Sequence, residues 1–139
     1  MTPTEIFLSH AHQDRVMAQR LATVLTRHGI PVFFSPQHIR GAQQWQNEIL
    51  SALQRCDWFM VLLSAHAINS MWVKREVAFA LQDPRYEDRI VPLQYRDCDL
   101  KSLQWLTLFQ MVNVSEDFAV GCRDLLRIWR IGLDEEHLQ

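Results

Sequence analysis

Apolar residues along this chain gather into short runs separated by stretches with helical spacing. Ile6-Phe7-Leu8 is a brief apolar run that ends in polar Ser9 and His10. From Asp14 onward, Met17, Ala18, Leu21, Val24 and Leu25 recur at helical intervals, which predicts a strand followed by a helix. Gly29 supplies a helix stop, and Val32-Phe33-Phe34 forms a second β-like run closed by Ser35-Pro36. Residues Pro36 to Gln44 hold Pro, His, Arg and Gly without periodicity and read as a loop. Beyond it, Trp45, Ile49, Ala52, Leu53 and Cys56 line one face of a second helix. Trp58 to Leu63 is apolar throughout, the pattern of a central parallel strand covered on both faces.

A third helix is capped by Asn69 or Ser70 and runs to about Leu81, where Asp83-Pro84 ends it. Ile90 to Gln94 reads as a fourth strand, and Pro92 within it costs a ladder bond, which points to an edge or irregular position. Residues 97 to 109 fit neither period. Met111 to Val114 reads as a fifth short strand, and Phe118, Cys122, Leu125, Leu126 and Trp129 form the inner stripe of a last helix. Strands alternating with helices in this way predict a flavodoxin-like, three-layer αβα fold around a five-stranded parallel sheet. Ligands of such sheets bind beyond the carboxyl ends of the strands, which directs attention to Ser9 to Asp14, Ser35 to Trp45, Ser64 to Trp72 and Tyr95 to Asp99.

Composition narrows the partners. The 139 residues suffice for one domain with its own core, read here as residues 1–133, followed by a polar tail, 134–139, that is expected to fray. A net charge of −2 and the lack of a dense Lys/Arg run argue against nucleic-acid binding. The longest apolar run is too short to span a bilayer, and the first nine residues lack the pattern of a secretory signal, so no membrane association is expected. Cys56, Cys98 and Cys122 are odd in number and without CxxC spacing, so they read as buried thiols of a reducing, cytoplasmic compartment.

Glu76 is the unusual acid. Its helical neighbours at three and four residues are Trp72, Val73, Phe79 and Ala80, so no local cation neutralises it. A carboxylate among apolar groups has a raised pKa and a strong field, suited to proton transfer or to stabilising a developing cation. The plain alternative is an exposed glutamate, or one paired with a distant arginine. His10-x-His12-x-Asp14 has the beginnings of a zinc-ligand pattern, but Arg15 stands where the next histidine is needed, so the histidines read as solvated and no metal is expected. A phosphoacceptor site is disfavoured because Ser64, not an aspartate, ends the third strand.

Several of these segments resemble one family in order. Ile6-Phe7-Leu8-Ser9-His10 followed by Asp14 resembles the first box of Toll/interleukin-1 receptor (TIR) domains. Val32 through Gly41 to Trp45 and Ile49 resembles their second strand, BB loop and following helix. Trp58 to Ser64, then Ser70-x-Trp72-x-x-x-Glu76, resembles the third strand and the Trp-x-x-x-Glu helix of TIR proteins that cleave NAD⁺. The chain departs from the family at Ser35-Pro36, where an acidic residue is frequent, at Ala11, which is smaller than the usual polar residue, and in lacking a Phe-Trp pair near the last helix.

The resemblance implies a bacterial-type enzyme with Glu76 as the catalytic carboxylate. NAD⁺ would be the substrate, with no bound cofactor, and the products nicotinamide and ADP-ribose or a cyclic isomer, as in bacterial antiviral immune signalling. It further implies a substrate pocket drawing on His10, Ala11, Ser64 and Trp72, an aromatic contact from Trp45, and a mobile basic loop carrying Arg40 and Gly41. Homo-oligomers formed through TIR–TIR contacts of the 36–44 loop, with a fused or separate sensor or effector, belong to the same expectation. The rival reading is a TIR module that only binds other TIR domains, with Glu76 incidental.

Overall fold

The computed structural model describes residues 2–34 and 42–138, apart from the side chains of 42–45. Strand β1 (Ile6–Ser9) leads through a 3₁₀ turn (His12–Asp14) into helix α1 (Arg15–Arg27), and β2 (Val32–Phe34) follows. Helix α2 (Ala42–Arg55), β3 (Trp58–Leu63), the single turn α3 (Ala65–Ile68) and α4 (Met71–Gln82) form the middle of the chain. A 3₁₀ turn (Pro84–Tyr86), β4 (Ile90–Gln94), a longer 3₁₀ segment (Leu100–Leu108), β5 (Val112–Asn113), α5 (Phe118–Arg127) and a last 3₁₀ turn (Glu135–Leu138) complete it.

All five strands pair in parallel in the order β2-β1-β3-β4-β5, so the expected flavodoxin-like architecture is the one present. The chain leaves β1 toward one edge of the sheet and then returns to place β3 on the other side of β1. That reversal opens a crevice at the carboxyl ends of β1 and β3, the usual ligand position in open α/β sheets.

Successive residues of β1 and β3 point to opposite faces and fill two apolar layers. Ile6, Leu8, Met60 and Leu62 pack with Leu21 and Leu25 of α1 and with Cys122 and Leu125 of α5. Phe7, Phe59, Val61 and Leu63 pack with Ile49 and Leu53 of α2 and with Val73 and Val77 of α4. Phe7 stacks on Phe59 with ring centroids 5.5 Å apart. Gly29 adopts φ +84° and stops α1, as expected. Helix α5 crosses β5 so closely that a Cβ on Gly121 would stand 2.6 Å from the Asn113 carbonyl oxygen.

Two expectations are corrected, for Pro92 and for Cys98. Pro92 does not mark an edge, since β4 lies between β3 and β5. Bonds from Phe59 N–H to the Arg89 carbonyl, from Tyr95 N–H to Leu63 and from Val114 N–H to Gln94 show that odd residues here bond β3 and even ones β5. Pro92 therefore faces β5, whose strand begins only at Val112 opposite Leu93, and its missing N–H falls where no strand pairs. Of the two expected caps of α4, Ser70 is the one present, its Oγ accepting from the Val73 N–H at 3.3 Å, while the Asn69 amide donates to the Ala65 carbonyl. Cys56 and Cys122 are buried but Cys98 is half-exposed, because it precedes the 3₁₀ segment at the surface.

The described part of the tail, residues 134–138, contacts the domain. Asp134 N–H donates to His28 Nε2 at 3.0 Å, and His28 Nδ1 lies 2.7 Å from the Val24 carbonyl oxygen. A carbonyl only accepts, so the proton of the neutral ring sits on Nδ1 and leaves Nε2 to receive the tail. Leu138 completes the anchorage by packing on the α1 and α5 side of the core.

Candidate active site

Two buried serine–carboxylate pairs mark the crevice between β1 and β3. Ser9, the last residue of β1, donates its hydroxyl to Glu76 Oε1 at 2.7 Å. Ser64, directly after β3, donates to Asp14 and accepts from the Ala67 N–H at 3.1 Å, which caps α3. Each serine is fixed by a central strand, and each carboxylate comes from a neighbouring connection or helix.

Glu76 reaches this position because α4 is registered by its Ser70 cap and by Val73, Val77 and Ala80, which are buried with it. It is only 4% exposed. Burial disfavours the anion and pushes its pKa from the usual 4.5 up to about 7, with the Ser9 hydrogen bond pulling the other way. Ser9 is its one hydrogen-bond partner among the described residues, and no cation there forms an ion pair with it. A carboxyl group with this pKa exchanges a proton readily near neutrality, and as an anion it projects a weakly screened field.

Glu76 lines a cavity of about 160 Å³ between α2 and α4, walled by Ile49, Leu53, Phe79 and Trp72, with Gln46 and Arg75 at its polar side. The Arg75 guanidinium lies 5.2 Å from the centre of the Trp72 ring. Trp72 is 39% exposed, so it is a wall of the cavity and not a core residue. Sites for drug-sized ligands span about 300–1,000 Å³. At about 160 Å³ this cavity lies below that range and suits a compact group.

The structure brings Glu76 and Trp72 into one cavity and leaves three other expected residues outside its lining. His10 is buried against Phe34, ring centroids 5.5 Å apart, and burial lowers its pKa. Ala11 is buried beside it, and the Ser64 hydroxyl is committed to Asp14 and the α3 cap. Arg40, Gly41 and the side chain of Trp45 lie outside the described residues. Among the described residues, no three His, Cys, Asp or Glu side chains converge as metal ligands. Sequence reasoning passed over Ser9 and the α2 wall. A serine closing a buried strand at the switch point is the signal that points to the first, whereas nothing in the spacing of α2 pairs it with α4.

The family model for the TIR domain matches residues 6–126. This chain belongs to the TIR domain family. A search by sequence against curated proteins gives no significant match. Among solved structures, the TIR domain of the Toll-related receptor TRR-2 from Hydra magnipapillata is similar, with a TM-score of 0.73 at 20% identity over 90% of this chain and 97% of that one. The TIR domains of the activated Roq1 resistosome directly recognizing the pathogen effector XopQ give 0.71 at 16% identity, covering 91% of this chain and 99% of theirs. The SEFIR domain of interleukin-17 receptor B gives 0.62 at 11% identity, covering 89% and 95%. At these identities the likeness is one of fold, and this TIR domain shares it along nearly its whole length. Among its described residues no helix is long and apolar enough to cross a membrane.

Proposed function

We propose that this TIR domain cleaves the nicotinamide–ribose bond of NAD⁺ with Glu76 as the catalytic carboxylate, in bacterial antiviral signalling within the cytoplasm. The observation that carries the reading is a buried carboxylate at the switch point of the sheet, held by Ser9, without a cation partner among the described residues and opening on a cavity. NAD⁺ enters as substrate and no resident cofactor is required.

The leaving group is already activated. Nicotinamide departs as a neutral base from a cationic pyridinium, taking the electron pair of the C–N bond, and positive charge grows on the ribose carbon. A carboxylate with few competing solvent dipoles stabilises that charge, which is the electrostatic contribution made in other glycosyl transfers. Water captures the cation to give ADP-ribose and a proton, whereas a nucleophilic atom of the same molecule gives a cyclic isomer. Trp72 offers an aromatic wall, and Trp45, Arg40 and Gly41 remain proposed contacts from the segment after β2. His10, Ala11 and Ser64 support the floor at the ends of β1 and β3 in this reading. The protein works as a homo-oligomer through the 36–44 loop, a reading supported by the Roq1 relatives, which are the TIR domains of an activated resistosome. A fused or separate sensor or effector completes the system.

Incubation with NAD⁺ and chromatography of the products tests the proposal. Wild type releases nicotinamide, and Glu76→Ala and Glu76→Gln lower the rate by on the order of 100-fold, the scale of losing one preorganised electrostatic group. Equal release by all three removes Glu76 from the reaction. No release by wild type in its assembled state leaves the non-catalytic assembly module as the reading.

A further inference from the structure

We propose that Ser9 is the positioning residue of Glu76: its hydroxyl fixes Oε1 and thereby presents Oε2 to the cavity between α2 and α4. The proposal rests on the reading of Glu76 as the acting carboxylate and adds a residue to it.

The geometry separates Ser9 from the other serine of the crevice. The Ser64 hydroxyl is shared between Asp14 and the cap of α3, so it has a structural task of its own. The Ser9 hydroxyl has Glu76 as its hydrogen-bond partner among the described residues and caps no helix. Its backbone is immobilised in the middle of the sheet, where Leu8 pairs with Met60 and Phe34 and Ser9 pairs with Val61. A fully buried hydroxyl on so rigid a base can turn only about χ1, and the 2.7 Å distance suits a short charge-assisted bond. A glutamate has three rotatable side-chain torsions. Pinning one oxygen to the sheet removes most of that freedom before any ligand arrives, which is how a supporting group preorganises a reacting one.

The same bond stabilises the anion over the neutral acid, because a hydroxyl donates more strongly to a carboxylate. It opposes the burial that favours the protonated form. Removing it therefore changes both the direction of the carboxylate and the pH at which it ionises.

The test uses Ser9→Ala and Ser9→Thr in the full chain, with two readouts. The first is the ionisation midpoint of Glu76, followed by ¹³C NMR of its carboxyl carbon and assigned by the signal lost in Glu76→Gln. The alanine variant moves that midpoint upward, and threonine, which keeps the hydroxyl, returns it toward wild type. The second is nicotinamide release against pH: the acidic limb of kcat moves upward with the midpoint, kcat below pH 7 falls on the order of tenfold, and KM changes little. Should the alanine variant lose its native circular dichroism, Ser9→Cys, nearly isosteric with a weak donor, shifts the midpoint in the same direction. An unchanged midpoint and kcat profile in a folded variant overturns the proposal. Full release by Glu76→Gln overturns the reaction instead, and the NMR midpoint still decides whether Ser9 controls Glu76.

Discussion

The Ser64 hydroxyl donates to Asp14 while accepting from the Ala67 N–H, so one small side chain ties the turn after β1 to the helix after β3. Because β1 and β3 are neighbours, the bridge closes over their carboxyl ends.

Replacing Ser64 with alanine removes a helix cap and leaves a buried carboxylate short of a donor. We expect a loss of about 2–3 kcal/mol of stability from the two effects together. Urea unfolding followed by tryptophan fluorescence measures it, and a change below about 0.5 kcal/mol would show that the bridge contributes nothing to the fold.

The Glu76 carboxyl has a definite signature in stability against pH. Its folded pKa of about 7 lies above the usual 4.5, so the folded chain holds a proton that the unfolded chain has already released. The benefit of keeping the neutral acid is complete below about 4.5 and is lost as the pH rises to about 7, beyond which the curve is flat. The span corresponds to about 3 kcal/mol, using about 1.4 kcal/mol per pKa unit. Glu76→Gln removes this slope and is more stable than wild type at pH 8. Denaturant titrations at pH 5, 6, 7 and 8 check both statements, and parallel curves for the two proteins would place Glu76 in water.

Gly121 is required by proximity and not by backbone conformation. Alanine favours a helix over glycine by about 1 kcal/mol, yet its Cβ would meet the Asn113 oxygen at 2.6 Å and a Val114 methyl at 2.8 Å. Overpacking costs about 1–3 kcal/mol and wins. The Gly121→Ala variant is expected to melt several degrees below wild type, and a higher melting temperature would show that α5 can draw back at no cost.

The docked tail makes a prediction about hydrogen exchange. The Asp134 amide donates to His28 Nε2, and His28→Ala removes that acceptor. Protection of the Asp134 amide from exchange is therefore expected in wild type and lost in His28→Ala. Equal protection in both would mean that the turn is held by Leu138 alone.

The parts of this fold that could be read from the chain are those where burial writes a period into the residues. Trp58 to Leu63 is covered on both faces and is apolar without interruption, and the inner residues of α1 and α5 repeat at helical spacing because they face one sheet. Pro92 misled because the cost of a missing N–H depends on where the neighbouring strand starts, and β5 starts late. The contact of the tail with His28 was not legible, because His28 lies 106 residues earlier than Asp134. Glu76 was legible from its apolar helical neighbours, whereas Ser9 has a local context that any strand end could supply.

Ser9 and Glu76 are separated by 67 residues and meet only after β1 has paired with β3 and α4 has closed over them. A nascent chain that has released its first strand and helix from the ribosome holds half of the pair and none of its geometry. The Ser9–Glu76 bond is thus a property of the finished fold alone, absent until the first strand and the fourth helix are both in place.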